Sequence, residues 1–193
     1  MKKALALIFA ILMIVTCFAA CGNTNEGGIK VPSETLEGVT YGSFEKFTSV
    51  DLSGKKVTED IFKGKKLTMI NIWATFCGPC INEMPDLATL NKEYADKDFQ
   101  VIGIVCDVGY SNEGYYDSSL YESAVTIAEM TGADYVNLLP SQSLDFIKLR
   151  EVYSVPETIF VDGNGKVVGS NYIGSRSLES WKIIVDSVLD SMA

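Results

Sequence analysis

The clearest pattern along the chain is a pair of nearly continuous apolar runs, at residues 67–73 and 99–105. Runs of this length and apolar content predict β-strands that are buried on both faces. Between them, apolar residues recur every three or four positions from Ile81 to Tyr94, which is the spacing of an amphipathic helix. A strand, a helix and a second strand in this order predict a parallel βαβ unit.

Shorter patterns flank this unit on both sides. Residues 44–57 carry apolar positions around a Ser53-Gly54 turn and predict a β-hairpin. Residues 107–119, which follow the second strand, are rich in Gly, Ser, Asn and Tyr and predict an inserted loop. The rest of the chain predicts helices at 120–130, 144–153 and 178–189, strands at 135–139 and 158–161, and a hairpin turn at 162–165.

The first twenty residues have the pattern of a secretory signal. Two lysines precede an uncharged apolar run at residues 4–15, which is short for a membrane span, and small residues follow it. Phe18-Ala19-Ala20-Cys21 resembles a bacterial lipobox, which implies that Cys21 becomes the lipidated first residue; an ordinary signal with a chance cysteine stays open, and Cys17 is a weaker candidate. We therefore expect a lipoprotein signal peptide at 1–20, a lipidated cysteine and flexible tether at 21–40, and one domain at 41–193.

The chain is acidic and contains no histidine. Removing a signal with two lysines and no acidic residue takes the net charge from −9 to −11, which argues against nucleic acid or an anionic membrane surface as a partner. Without histidine there is no Ser-His or Cys-His nucleophile pair and no His metal ligand. The composition therefore directs attention to the cysteines.

Cys77 and Cys80 stand at the junction between the first buried strand and the helix that follows it. At such a turn, free backbone N–H groups and the helix dipole favour a thiolate at Cys77. A second thiol one turn away can release the product after the first has attacked a disulfide. A zinc site would need a second pair of ligands, and only Cys106 remains in the domain. We interpret the pair as a redox centre and expect Cys106 to be a packed, inert thiol.

The residues from Trp73 to Cys80, Trp-Ala-Thr-Phe-Cys-Gly-Pro-Cys, resemble the active-site segment of thioredoxin-fold proteins. Val155-Pro156-Glu157-Thr158 precedes a strand, where that fold carries its cis-proline. The opening hairpin, the insertion and the lipoprotein signal look more like the TlpA/ResA branch than like cytosolic thioredoxin. The resemblance covers about residues 41–193. It implies an α/β thioredoxin-like fold with a central mixed β-sheet flanked by helices, an N-terminal β-hairpin, and an insertion after the second parallel strand.

The resemblance also implies roles for single residues. Cys77 matches the attacking cysteine and Cys80 the resolving one, while Gly78 and Pro79 set the turn and the potential of the pair. Pro156 matches the cis-proline that faces the disulfide. Trp73 and Phe76 support the motif. The substrate-binding residues are Val155, Pro156 and Glu157, and Val155 would offer its backbone to an extended substrate segment.

Glu83 is the candidate for proton transfer. It follows Cys80 by three residues, as a functional glutamate does in ResA-like proteins, and burial would raise its pKa into a useful range. A solvent-facing residue that complements the helix dipole is the alternative, and both interpretations stay open. Asn71 stands where thioredoxin has a buried aspartate, which shifts the expected role toward Glu83.

The resemblance implies an extracytoplasmic, membrane-anchored thiol–disulfide oxidoreductase that reduces disulfides of secreted or membrane-associated proteins through its Cys-Gly-Pro-Cys dithiol. No cofactor or metal is required. The implied partners are a disulfide-containing protein, such as apocytochrome c or a methionine sulfoxide reductase, and a membrane electron donor of the CcdA/DsbD type. We expect a monomer, lipid-anchored to the bacterial cell membrane, with no nucleic acid partner. A disulfide-forming oxidase and a non-catalytic lipid-anchored binding module stay open as alternatives.

Four tyrosines cluster around the insertion, at positions 110, 115, 116 and 121. Tyrosine is favoured at interfaces, so these side chains could line a substrate groove. Alternatively, the loop packs on its own side chains, and this is the interpretation we prefer.

Overall fold

The computed structural model describes residues 28–192 of the chain, so the predicted signal peptide and Cys21 lie outside the described residues. The strands are Thr48–Val50 (β1), Lys56–Thr58 (β2), Leu67–Trp73 (β3), Phe99–Val105 (β4), Asn137–Leu138 (β5), Glu157–Asp162 (β6) and Val167–Ile173 (β7). The α-helices are Gly78–Glu93 (α1), Ser118–Thr131 (α2), Gln142–Ile147 (α3) and Leu178–Ser191 (α4). Short 3-10 turns cover Glu59–Phe62, Ala95–Lys97 and Leu149–Glu151.

A five-stranded sheet with the order β5-β4-β3-β6-β7 forms the centre of the domain. β4 is parallel to β3 and β5, whereas β6 is antiparallel to β3 and β7. All seven residues of β3 are buried, as expected for a nearly continuous apolar strand between two layers. The predicted α/β thioredoxin-like fold is confirmed, including the antiparallel N-terminal hairpin of β1 and β2.

Two apolar layers cover the two faces of the sheet. On one face, Met69 and Trp73 of β3 pack in a cluster that includes residues of α1, α2 and α4. On the other face, Ile70 and Ile72 pack with residues of α3 and with phenylalanines from the N-terminal part of the domain. Because β3 is central, its C-terminal end lies between these layers, and α1 begins there.

The inserted loop that follows β4 is bound by residues 29–31, which precede the predicted domain. The Val31 N–H donates to the Gly114 carbonyl (2.9 Å), and the Tyr116 N–H donates to the Ile29 carbonyl (3.1 Å). Ile29 and Val31 also pack against the core. Residues 21–40 were predicted as a flexible tether; from residue 29 onward this expectation is corrected, because these backbone pairs and apolar contacts attach the segment to the domain.

Tyr110 and Tyr116 of the insertion are engaged in packing, whereas Tyr115 is 40% exposed. The Tyr110 hydroxyl donates to Asp145 (2.8 Å), and the Tyr116 hydroxyl donates to the Pro140 carbonyl (2.6 Å). Their rings meet edge to face with centroids 6.0 Å apart. These contacts favour packing of the loop over a tyrosine-lined substrate groove.

Two predicted elements are shorter in the structure. The helix predicted at 144–153 ends at Ile147, because Lys148 leaves helical geometry (φ −150°, ψ −44°) before a 3-10 turn. The strand predicted at 135–139 is confined to β5, because the Leu139 N–H donates to Val50 of the hairpin instead of continuing the sheet. Between residues 28 and 192, no helix is long and apolar enough to cross a membrane.

Candidate active site

Cys77 is the N-cap of α1, at the point where β3 gives way to the helix. Its Sγ accepts a hydrogen bond from the Cys80 N–H (3.2 Å), and Pro79 lies in the first turn, where a missing N–H costs nothing. The free N–H groups and the dipole of a 16-residue helix therefore point at this sulfur. Such a position lowers the pKa of a cysteine thiol and favours the reactive thiolate.

Cys77 and Cys80 form a disulfide with their Cα atoms 5.3 Å apart. Cys80 is fully buried, whereas Cys77 retains 5% exposure and is followed by exposed Gly78 and Pro79. The two cysteines of the disulfide therefore differ in exposure. Of the two, Cys77 is the one that an incoming thiolate can approach more easily.

The turn before Cys77 is braced by Asp107, a residue that the sequence analysis did not select. The Thr75 N–H donates to both carboxylate oxygens of Asp107 (3.0 Å each), and the Thr75 hydroxyl donates to one of them (2.5 Å). Asp107 follows β4, which runs parallel to β3 and ends beside it. A polar residue at the carboxyl end of a neighbouring parallel strand was the available signal.

Glu83 is buried on α1, one turn beyond Cys80 on the same helix face. Its carboxylate accepts hydrogen bonds from Asn71 Nδ2 (3.0 Å), the Arg176 N–H (2.8 Å) and Trp181 Nε1 (3.3 Å). Burial raises the pKa of Glu83, and the three donors and the nearby Arg176 charge oppose that rise. The solvent-facing alternative for Glu83 is therefore wrong.

Asn71 completes the surroundings of Glu83 from the sheet. Its side-chain amide donates to Glu83 and to Thr158 Oγ1 (3.2 Å), while its Oδ1 has no hydrogen-bond partner among the described residues. An amide at this position binds the glutamate as a donor and does not itself titrate. The titratable carboxyl of this buried cluster is Glu83.

The loop before β6 brings Pro156 to the end of the sheet at which β3 ends and α1 begins. The Val155–Pro156 peptide bond is cis, and the Pro156 carbonyl accepts a hydrogen bond from the Gly174 N–H (2.9 Å). Pro156 is buried, whereas Val155 is half-buried and packs against both apolar layers. Ile173, at the end of β7, pairs with the residue after Pro156 and is 61% exposed.

Glu157, predicted to bind substrate, points into the protein. Its carboxylate forms a buried ion pair with Lys148 Nζ (2.7 Å) and accepts a hydrogen bond from Asn171 Nδ2 (2.9 Å). Its backbone lies in β6, between β3 and β7. The side chain is therefore engaged in internal contacts that support the loop carrying Pro156, and the prediction that Glu157 binds substrate stays a prediction.

The two aromatic residues of the motif differ in exposure. Trp73 is fully buried, and its Nε1 donates to Asn137 Oδ1 (3.0 Å) above Gly103, where a Cβ would lie 1.9 Å from that oxygen. Phe76, by contrast, is 78% exposed beside the disulfide. Trp73 therefore anchors the strand end, and Phe76 is available for contact with another molecule.

Cys106 is half-buried at the end of β4, and burial together with Asp107 raises the pKa of its thiol to about 11. It is consequently a neutral thiol at physiological pH, which agrees with a packed, inert role. Within residues 28–192 there is no group of three or more Cys, Asp, Glu or His side chains that could hold a metal ion.

Comparison with known proteins agrees with this geometry. A model of the Redoxin family matches residues 30–179. The thiol-disulfide oxidoreductase ResA of Bacillus thuringiensis subsp. konkukian is 28% identical over 169 residues, covering 87% of this chain and 88% of that protein.

Two solved structures share the fold. A thiol:disulfide interchange protein of the thioredoxin family from Chlorobium tepidum TLS has a TM-score of 0.60 at 22% identity, covering 81% of this chain and 99% of that one. A secreted Mycobacterium tuberculosis disulfide oxidoreductase homologous to E. coli DsbE has a TM-score of 0.55 at 17% identity, covering 74% and 96%.

Proposed function

Because the chain belongs to the Redoxin family and is a thiol–disulfide oxidoreductase, we propose that it reduces disulfides of secreted or membrane-associated proteins. The observation that carries this proposal is the disulfide at the N-terminus of α1, in which Cys77 retains some exposure and Cys80 is fully buried. This arrangement suits a reductant that attacks through one thiol and releases through the other.

In the proposed cycle, the Cys77 thiolate attacks one sulfur of the substrate disulfide, and the other substrate sulfur leaves as a thiolate that takes up a proton. The Cys80 thiol then loses its proton and attacks Cys77. This step breaks the mixed disulfide, forms the Cys77–Cys80 bond and releases the second substrate thiol. Two electrons pass from the cysteine pair to the substrate, and a dithiol donor must return them.

We assign to Glu83 the proton that Cys80 gives up. Its carboxyl lies one helical turn from Cys80 in a buried pocket, where its pKa is raised by burial. A carboxylate with a raised pKa accepts a proton more readily near neutral pH than an exposed one. Asn71 cannot serve in its place, because a side-chain amide does not titrate in this range.

The proposed substrate-docking face surrounds the disulfide. Phe76 and Ile173 are exposed apolar side chains. Val155 directly precedes the cis-proline, Pro156, in the loop before β6. An extended substrate segment placed here would lie against these side chains and meet the Val155 backbone. Pro156 would limit how closely that segment approaches Cys77.

We further propose that the protein works outside the cytoplasm on a lipid anchor at Cys21. The support is the lipobox-like Phe18-Ala19-Ala20-Cys21 after a signal-like segment, together with the secreted relative noted above. A membrane electron donor of the CcdA/DsbD type would regenerate the dithiol. The substrate candidates are apocytochrome c, other oxidised secreted proteins and a methionine sulfoxide reductase.

A trapping experiment tests the assignment of the two cysteines. The Cys80→Ser variant should accumulate a mixed disulfide with a disulfide-containing protein, because the resolving thiol is gone, whereas Cys77→Ser should not. Cys106→Ser is the matched control and should trap nothing beyond the wild type. Trapping through Cys80 in the Cys77→Ser variant, or equal trapping by all three, would contradict the proposal.

A further inference from the structure

The loop between β7 and α4, residues 174–177 and here called the closing loop, covers Glu83. Its Gly174 N–H donates to the Pro156 carbonyl (2.9 Å), and its Arg176 N–H donates to Glu83 Oε2 (2.8 Å). At the start of α4, the Leu178 N–H donates to Asp86 of α1 (3.0 Å). One short segment thus joins the cis-proline loop to the buried carboxylate.

The side chain of Arg176 fastens the closing loop. Its Nη1 donates to the Gly174 carbonyl (2.6 Å) and to the Ile173 carbonyl (3.3 Å). Its guanidinium lies 5.2 Å from the ring centroids of both Tyr172 and Trp181. A planar fork that binds two carbonyls while stacking on aromatic rings is a role that arginine fills better than lysine.

We propose that Arg176 is a positioning residue, whose guanidinium holds the closing loop over Glu83 and keeps that carboxylate out of water beside the cysteine pair. The consequence for the reaction rests on the proton-transfer role proposed for Glu83. The position of the closing loop over Glu83, by contrast, depends only on the contacts of Arg176. Without the guanidinium, the Gly174 and Ile173 carbonyls lose their partner and the loop loses its stacked anchor.

The charged and titratable groups around Glu83 come from several elements. Arg176 faces it from the closing loop, and Tyr135 lies near it from the segment before β5. On α1, Asp86 is one turn further along and Cys80 one turn before. Arg176 carries the positive charge among these groups. Its removal therefore affects the pKa of Glu83 in two ways, through the lost charge and through the lost anchor of the closing loop.

The two effects have opposite signs. Loss of a nearby positive charge alone would raise the pKa of Glu83, because the carboxylate would lose a favourable charge interaction. Opening of the loop would withdraw the Arg176 N–H from Glu83, which also raises the pKa, but it would admit water, and a carboxyl whose pKa is raised mainly by burial then returns toward its ordinary value. Because burial is the largest of these influences, the proposal predicts a fall in the pKa of Glu83 in Arg176→Ala.

The test follows the carboxyl carbon of Glu83 by NMR against pH, in the oxidised full-length chain in detergent with glutamate labelled with carbon-13. The signal is assigned by its absence in Glu83→Gln. Arg150→Ala is the matched control, because Arg150 also stacks on an aromatic ring (5.0 Å from Phe146) but beside α3, whose Leu144 and Ile147 pack on the other face of the sheet. We expect a lower pKa in Arg176→Ala and no change in Arg150→Ala.

A higher or unchanged pKa of Glu83 in Arg176→Ala would overturn the proposal. If that variant does not fold, Arg176→Lys replaces it with the same expected direction, since lysine retains the charge but not the planar fork. Alkylation of Cys77 against pH then tests the consequence for exchange. Arg176→Ala should shift this profile, and should have no effect on it in a Glu83→Gln background. If the Glu83→Gln variant shows the wild-type pH dependence of Cys77 alkylation, the proton-transfer role of Glu83 is refuted. The NMR result alone then decides the role of Arg176.

Discussion

Lys148→Met tests whether Glu157 supports the cis-proline loop or binds substrate. The Lys148–Glu157 ion pair has an N–O distance of 2.7 Å, with side-chain exposures of 16% and 6%. Methionine fills much of the lysine stem volume but leaves the Glu157 carboxylate buried with Asn171 as its remaining side-chain donor. Removing one partner of a buried pair costs about 3–5 kcal/mol, because the other charge stays out of water.

The expected loss can be read from unfolding curves. For a chain of this size, each kcal/mol lowers the melting temperature by roughly 2–4 °C, so Lys148→Met should melt about 10 °C below the wild type. Glu157→Gln should cost less, roughly 1–2 kcal/mol, because Lys148 is the more exposed partner and can turn toward water. The double variant should recover stability relative to Lys148→Met, since no unpaired buried charge remains.

Circular dichroism melts of the four proteins give the interaction energy of the pair directly. A cost below about 1 kcal/mol for Lys148→Met would refute the structural role, because a pair in open water would behave that way. A stable Glu157→Gln variant that exchanges disulfides at about a tenth of the wild-type rate, a fall of about 1.4 kcal/mol in transition-state stabilisation, would instead support substrate binding.

Three further predictions concern two contacts that support the site and the reactivity of Cys106. Gly103→Ala should destabilise the protein by about 2 kcal/mol or more in thermal melts, because its Cβ would lie 1.9 Å from Asn137 Oδ1; Asn137→Ala in the same chain should restore part of the loss. Asp107→Ala should lower the free energy of unfolding by about 1.5–3 kcal/mol and slow disulfide exchange, because the turn at Thr75 loses a charged acceptor. An exchange rate equal to that of the wild type would contradict the role given to Asp107. Cys106 should alkylate slowly at pH 7.5 and faster as the pH approaches about 11, because its neutral thiol is favoured below that value; rapid labelling at pH 7.5, measured by mass, would contradict burial.

The parts of the fold that were predictable from sequence depend on local pattern. The bounds predicted for β3 and β4 agree with the structure, because nearly continuous apolar runs mark both ends of a doubly buried strand. The position of Cys77 at the start of α1 followed from the same junction. Each of these features depends on residues that are close together in the chain.

The contacts that sequence analysis missed join residues far apart in the chain. Asp107 is 32 positions from Thr75, and Arg176 is 93 positions from Glu83, so no local pattern relates them. The Lys148–Glu157 pair is only nine positions apart, but it joins the end of α3 to β6 across the cis-proline loop, so no helix or strand spacing relates its members. A resemblance to a family can indicate which residues matter, but the partner of each side chain depends on the packed structure.

The reduction potential of the Cys77–Cys80 pair tests the proposed reductase most directly. The full-length oxidised chain would be equilibrated with defined ratios of reduced and oxidised dithiothreitol or glutathione, and the fraction reduced read by the mass shift after alkylation, with Cys106→Ser removing the third thiol. A reductase should give a value near or below about −250 mV, in the range of thioredoxin. A value near about −120 mV, in the range of DsbA, would contradict the proposal and favour a disulfide-forming oxidase.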